Sequence, residues 1–175
     1  VENPQVSAEL LRIAKFWIQK GVDGFRLDAA RYMIENGPGE QRDTEDTIDW
    51  LNEFALDIKA LDSDTFVIAE IYAGMDICAN YYEPEGLDAC FNFEIGGKGN
   101  VIQGAFSSGK TRAFYSTLED FVDLDESGIP FEYLPLFFSN HDSGRMTDNL
   151  REPEKVKAAA LMFFTLPGGG PFIYY

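Results

Sequence analysis

The chain is poor in three residue types that usually announce a function. It has one histidine, His141, in 175 residues and two cysteines, Cys78 and Cys90. Their spacing is neither a metal knuckle nor a disulfide framework, so both read as small apolar fillers and the redox compartment stays open. Basic residues are scarce, 14 against 30 acidic ones, for a net charge of -16. That field repels nucleic acid and anionic membranes and excludes both as partners, whereas a neutral ligand such as a sugar is indifferent to it. No apolar run approaches the roughly 20 residues of a membrane span. No internal repeat or low-complexity tract is evident, and no signal peptide is visible, which means little in a chain that lacks a natural beginning. The chain starts on Val1 and stops inside the apolar run "GGPFIYY". It therefore reads as a fragment cut at both ends, for which a secreted and a cytoplasmic home are both open. What is abundant is core material: 45% hydrophobic residues, with 15 Phe and 8 Tyr. A single globular domain over 1–175 is expected.

Helical and strand patterns alternate throughout. Ser7 can cap a helix with the stripe Leu10, Leu11, Ala14, Trp17 and Ile18, closed by Gly21. "VDGFRLDAA" follows as a strand, and Asp43 or Thr44 opens a second helix through Ile48, Leu51, Phe54, Ala55 and Ile58. "TFVIAEIY" and "LDACFNFEI" are the next strands, and a long helical region spans about Val101 to Leu124. "PLFFSNHD" is a fourth strand. Pro153 suits the first turn of a last helix, ended by "PGGG", after which "PFIYY" is a fifth strand. Strands separated by helices imply right-handed crossovers and a parallel sheet. Either an open doubly wound sheet or part of an eight-stranded barrel satisfies that pattern.

Three of these strands end in carboxylates. In "GFRLDAA" the period of two sets Phe25 and Leu27 on one face and Arg26 and Asp28 on the other. An ion pair on a strand is costly unless it lies at the sheet's mouth, so the pair is either structural or part of a site there. "FVIAEIY" interrupts an apolar run with Glu70, which is costly to bury ionised and suits a general acid. "PLFFSNHD" ends in Asn140, His141 and Asp142, with Arg145 just beyond. Ligands of parallel α/β sheets bind at the C-terminal ends of the strands, where Asp28, Glu70 and Asp142 are expected to converge. Paired carboxylates at one site are the equipment of glycoside hydrolysis; a divalent cation held by the same oxygens is the alternative.

Other stretches carry less. "DLDESG" (Asp123, Asp125, Ser127, Gly128) opens like a calcium loop, but Leu134 stands at its twelfth position and a solvated turn is expected. "PGGG" lacks the Lys of a phosphate loop and reads as a turn. "RDTEDTIDW" is an acidic helix start favoured by the dipole. Tyr72, Tyr81 and Tyr82 could stack on sugar rings or pack under a loop.

Taken together these residues resemble the α-amylase family of glycoside hydrolases. "GVDGFRLDAARY" is similar to the family's nucleophile strand, "FVIAEIY" to its acid/base strand, "FFSNHD" to its His-Asp motif, and "LPGGGPFIYY" to the run into its last strand. The resemblance implies an α/β fold, a fragment of a (β/α)8 barrel covering roughly strands four to eight, inactive on its own. It implies retaining chemistry on α-glucosidic bonds of starch-like glucans or maltooligosaccharides. Asp28 would be the nucleophile and Glu70 the acid/base, with Asp142 completing the catalytic acids. Arg26, Asn140, His141, Tyr72 and Arg145 would bind substrate or orient the acids. No metal ligand is implied and no cofactor is required, with Ca2+ left open for the complete enzyme. Many members carry Lys-His where this chain has Arg31 and Tyr32, positions tied to calcium and sugar contacts. A transglycosidase or isomerase uses the same acids, and an inactive carbohydrate- or partner-binding barrel is the reading from another class.

Overall fold

The computed structural model describes residues 2–97, 99–168, 170 and 172–174. Its residues fall into two compact units, one formed by 1–72 and 80–90, the other by 73–79 and 91–175.

The first unit is built on a parallel sheet. Helix α1 (Pro4–Ile18) begins three residues before Ser7, with Pro4 in its first turn and Asn3 as its cap. The Asn3 side chain accepts from the Gln5 N–H, which satisfies one of the orphan donors of the helix start. Ser7 instead links two helices, since its Oγ accepts from Trp50 Nε1 at 2.9 Å and ties α1 to the next one. Gly21, at φ +89°, supplies the left-handed residue after the helix that Cβ would strain. Strand β1 (Gly24–Leu27) follows. Helix α2 (Glu45–Leu61) is opened by Thr44, whose Oγ1 accepts from the Thr47 N–H at 3.1 Å. Glu45 and Asp46 occupy its first turn, the charge the helix dipole favours. Its buried face carries Leu51, Phe54, Ala55 and Ile58, as the 3.6-residue period requires.

Strand β2 (Phe66–Ala69) and the two-residue β3 (Ala89–Cys90) complete the sheet in the order β1-β2-β3, all parallel. Gly24 pairs with Phe66 and Arg26 with Ile68, so Asp28 and Glu70 each lie just past the end of a paired strand. Val67, Ala69 and Ile71 are fully buried, while Phe66 keeps 45% of its surface. Gly24 is required by proximity: a Cβ there would sit 2.4 Å from the Phe66 carbonyl oxygen. Cys90 is buried in this unit, and Cys78 in the other.

The second unit is mostly helical: α3 (Met75–Ala79), α4 (Val101–Ser108), α5 (Thr111–Glu126), α6 (Met146–Leu150) and α7 (Pro153–Phe163). Its core gathers Ile95, Ile102, Phe121, Leu134, Leu136, Met146 and Phe163. The expected long helix is two. Gly109 adopts φ +70° and returns its N–H to the Ala105 carbonyl, which stops α4 with a left-handed cap. Asp123 and Asp125 lie in the last turns of α5 rather than in a loop, and Asp125 accepts from the Phe131 N–H. Pro153 opens α7 as expected.

Two expected strands are cut short by asparagine. In "LDACFNFEI" the Asn92 side chain accepts from the N–H groups of Glu94 and Ile95, so the chain turns where the apolar run continues. In "PLFFSNHD" the extended stretch reduces to one parallel bridge between Phe137 and Phe172. Of "PFIYY", Pro171 and Tyr175 lie outside the described residues, as does Gly169 of "PGGG". Among the described residues no helix is long and apolar enough to cross a membrane.

Candidate active site

In the first unit one guanidinium holds two carboxylates. Arg26 Nη1 lies 2.8 Å from Asp28 Oδ1, and Arg26 Nη2 lies 2.9 Å from Glu70 Oε2. Parallel pairing makes this possible: Arg26 and Ile68 are partners, so the residues two further on each strand leave the sheet on the same face. The backbone is also pinned across that gap. Glu70 N–H donates to the Leu27 carbonyl at 2.9 Å, and Ala30 N–H donates to the Glu70 carbonyl at 3.1 Å.

Ala29 stands between Asp28 and that tie in a left-handed conformation, φ 46° and ψ 39°. For a residue with a Cβ this costs about 1–2 kcal/mol, which the surrounding bonds must outweigh. The conformation aims Ala29 N–H at Glu70 Oε2, 3.2 Å away. Glu70 is therefore not the isolated buried acid its apolar neighbours suggest. It receives a guanidinium and a backbone N–H, with 15% of its side chain exposed. Asp28 has the opposite setting: 75% of its side chain faces solvent, open to an incoming electrophile. One carboxylate is held and shielded, the other oriented and accessible. The accessible carboxylate suits a nucleophile, with a second carboxylate held beside it.

In the second unit the "SNHDS" stretch forms a compact turn. Asn140 Oδ1 accepts from the Asp142 N–H at 3.2 Å, and Ser143 Oγ accepts from the Asn140 N–H at 2.9 Å. His141 Nε2 sits 3.2 Å from Asp142 Oδ2, and both side chains are more than half exposed. Arg145 lies beyond it, with its guanidinium 5.3 Å from the centre of the Tyr174 ring. Arg26, Asp28 and Glu70 are thus brought together in the first unit, and Asn140, His141 and Asp142 in the second.

Comparison with known proteins decides the family. The model of the alpha amylase catalytic domain matches residues 1–175. The chain belongs to the alpha-amylase family. Alpha-amylase 3 of Dictyoglomus thermophilum is 35% identical over 176 residues, covering 99% of this chain and 32% of that protein. The 4-alpha-glucanotransferase of Thermotoga maritima is 32% identical over 178 residues, covering 99% of this chain and 35% of its own length. Among solved structures, Eubacterium rectale Amy13B superposes with a TM-score of 0.79 at 28% identity, over 99% of this chain and 34% of that one. The chain spans about a third of the length of these relatives.

Within this alpha-amylase family domain the tyrosines differ in role. Tyr72 exposes 71% of its surface, whereas Tyr81 is fully buried and donates its hydroxyl to Asp43 Oδ1 at 2.8 Å. Tyr81 is thus a packing residue and not a sugar platform. Burial, with the bond to Asp43 second, pushes its phenol above the ordinary tyrosine range. Arg31 had no role in the sequence beyond its departure from Lys-His. It turns inward, only 8% exposed, and pairs through Nε with Asp43 Oδ1 at 3.0 Å and through Nη2 with Asp43 Oδ2. Its Nη1 donates to the Tyr72 carbonyl. The bond to Asp43 holds the Arg31 guanidinium above its ordinary range. Among the described residues no three His, Cys, Asp or Glu side chains are grouped to hold a metal.

Proposed function

We propose that the protein carrying this chain is a retaining α-glycosidase. Its substrates are starch-like glucans or maltooligosaccharides, and the reaction passes through a covalent glycosyl-enzyme. The observation that carries the reading is the pair Asp28 and Glu70 on the single Arg26 guanidinium, at the ends of neighbouring parallel strands. Retaining chemistry needs its two carboxyl groups about 5–5.5 Å apart, and sharing one planar cation supports that spacing. The names of the relatives, an alpha-amylase and a 4-alpha-glucanotransferase, support an α-glucan substrate.

Asp28 attacks the anomeric carbon as Glu70 protonates the leaving glycosidic oxygen. Glu70, now a carboxylate, then takes a proton from water, whose oxygen displaces Asp28 and regenerates both acids. Arg26 keeps Asp28 aimed. Asp142 and His141, with Asn140 fixing their turn, bind sugar hydroxyls more tightly as the ring flattens toward the oxocarbenium-like state. The exposed Tyr72 ring and Arg145 contact the substrate. The barrel reading takes the chain as strands four to eight of a (β/α)8 catalytic domain. A second reading, transfer of the glycosyl group to a sugar hydroxyl, is favoured by the 4-alpha-glucanotransferase relative and changes only the acceptor.

The test is Asp28→Asn in the full-length protein, with maltooligosaccharides as substrate. An amide cannot form the glycosyl-enzyme, so turnover should fall by at least about 10^4-fold. Turnover within tenfold of wild type would remove Asp28 as nucleophile. The split between released reducing ends and lengthened oligosaccharides separates hydrolysis from transfer.

A further inference from the structure

Two backbone segments carry the acids of the site: the loop after β1, with Asp28 and Ala29, and the stretch after β2, with Glu70. The paired register ends at Leu27 and Ala69, and beyond it two backbone bonds, Glu70 N–H to the Leu27 carbonyl and Ala30 N–H to the Glu70 carbonyl, still tie the segments together. Their relative position also depends on what lies just behind them.

Behind them is a buried polar cluster that the reaction does not use. Arg31, in the short turn Ala30–Tyr32, forks onto both oxygens of Asp43 and reaches the carbonyl of Tyr72, two residues after Glu70. Asp43 returns the contact through its backbone, its N–H donating to the Arg31 carbonyl at 2.9 Å. Asp43 is itself left-handed, φ 55°, the second non-glycine residue held so in this neighbourhood after Ala29. Its side chain is completed by the Tyr81 hydroxyl. A bidentate carboxylate and a backbone carbonyl use the guanidinium's fixed fork in a way an ammonium could not. The cluster cross-links the loop of the nucleophile to the stretch that follows the acid.

We infer that Arg31, held by Asp43 and Tyr81, is a positioning residue that sets the distance between the Asp28 and Glu70 carboxylates. This rests on the reading of those two acids given above. The sequence departure at Arg31 then has a meaning: where many members of the family carry Lys, this chain turns an arginine inward to brace the site.

A second ion pair of the same unit gives the control. Lys59 Nζ lies 2.9 Å from Asp88 Oδ1 and also bonds the Gly86 carbonyl, contacts that involve none of the site residues. In the full-length protein, Arg31→Lys, Asp43→Asn, Tyr81→Phe and Lys59→Met are compared for Tm, kcat and KM on one maltooligosaccharide. Misplacing reacting groups by about 1 Å costs on the order of 100-fold, so Arg31→Lys and Asp43→Asn should lose about 10- to 100-fold in kcat with KM within about threefold. Lys59→Met should lower Tm and leave kcat unchanged. Tyr81→Phe deletes one donor without changing shape, and should lower kcat about two- to fivefold even if the Arg31 variant fails to fold. The inference is overturned if Arg31→Lys and Asp43→Asn lower Tm with kcat unchanged, if Lys59→Met slows turnover equally, or, where those two do not fold, if Tyr81→Phe keeps full kcat. An active Asp28→Asn would instead remove the reading of the site. A dead Asp28→Asn beside a fully active Arg31→Lys removes only the brace.

Discussion

Replacing Glu70 by glutamine separates the chemical role of this carboxylate from its structural one. The structural loss is small. Glu70 Oε2 accepts from Arg26 Nη2 at 2.9 Å and from Ala29 N–H at 3.2 Å, and a glutamine oxygen can still accept from both. What disappears is the carboxylate's own charge; the Arg26 bond remains one to a charged group, so the loss is below the full difference between about 1.5–3 kcal/mol for a charged bond and about 1 kcal/mol for a neutral one. Arg26 is 35% exposed and keeps Asp28 at 2.8 Å, so solvent and the remaining partner reduce the loss to about 1 kcal/mol. For a protein of this size or larger that moves Tm by about 2–4 °C. The chemical loss is far larger, since a missing general acid costs about 10^2- to 10^4-fold, or roughly 3–5 kcal/mol. The two are resolved by substrate choice. On maltooligosaccharides, glycosylation by Glu70→Gln should fall by that factor. An aryl maltoside with a good leaving group needs little protonation and should still glycosylate Asp28 quickly. A burst of aryl alcohol should follow, then slow steady turnover, because the same variant lacks the base for water. Stopped-flow release of the aryl alcohol reads both phases. Equal slowing of the glycosylation step for both substrates would show that Glu70 is not the acid.

Two further outcomes follow from local geometry. Gly24→Ala brings a Cβ 2.4 Å from the Phe66 carbonyl oxygen, so β1 must move about 1 Å from β2, at a cost of about 1–3 kcal/mol in urea unfolding; a change below about 0.5 kcal/mol would mean the strands are not packed this closely. The Tyr81 phenol has its ionisation raised by burial and by Asp43, so in the alkaline range the unfolded chain loses that proton first. Stability from this group is whole below pH about 10 and declines as pH rises above it, and Tyr81→Phe should remove that part of the alkaline decline, measured as the wild-type minus variant difference in Tm between pH 8 and 11.

The pairing of Arg26, Asp28 and Glu70 was legible because it depends on local rules. A period of two assigns each residue to a face, and parallel pairing carries the face from one strand to the next. Helix starts were legible at Pro153 and, to within Asp43 or Thr44, at the second helix, and not at Ser7, where Asn3 and Pro4 offered an earlier start. Strand ends were hidden at Asn92 and Asn140, because whether an asparagine faces a sheet neighbour or bonds its own backbone is decided by the residues after it. Gly109 was the readable signal missed in the Val101–Leu124 stretch: a glycine between two helical runs is an ordinary left-handed stop.

The brace behind the acids was out of reach for a different reason. Arg31 is 12 residues from Asp43 and 41 from Tyr72, and Asp43 is 38 from Tyr81, so no periodic pattern spans these contacts. Strand alternation gives no direction for Arg31 either, since it stops at Leu27 and a left-handed residue intervenes at Ala29. A single positive φ re-aims every side chain that follows it. The strain that exposes Ala29 N–H to Glu70 is thus also what removes Arg31 from the reach of sequence rules. The same backbone turn that completes the acid's hydrogen bonds delivers the arginine to Asp43, so the site and its support arise from one conformational choice in the short run from Asp28 to Arg31.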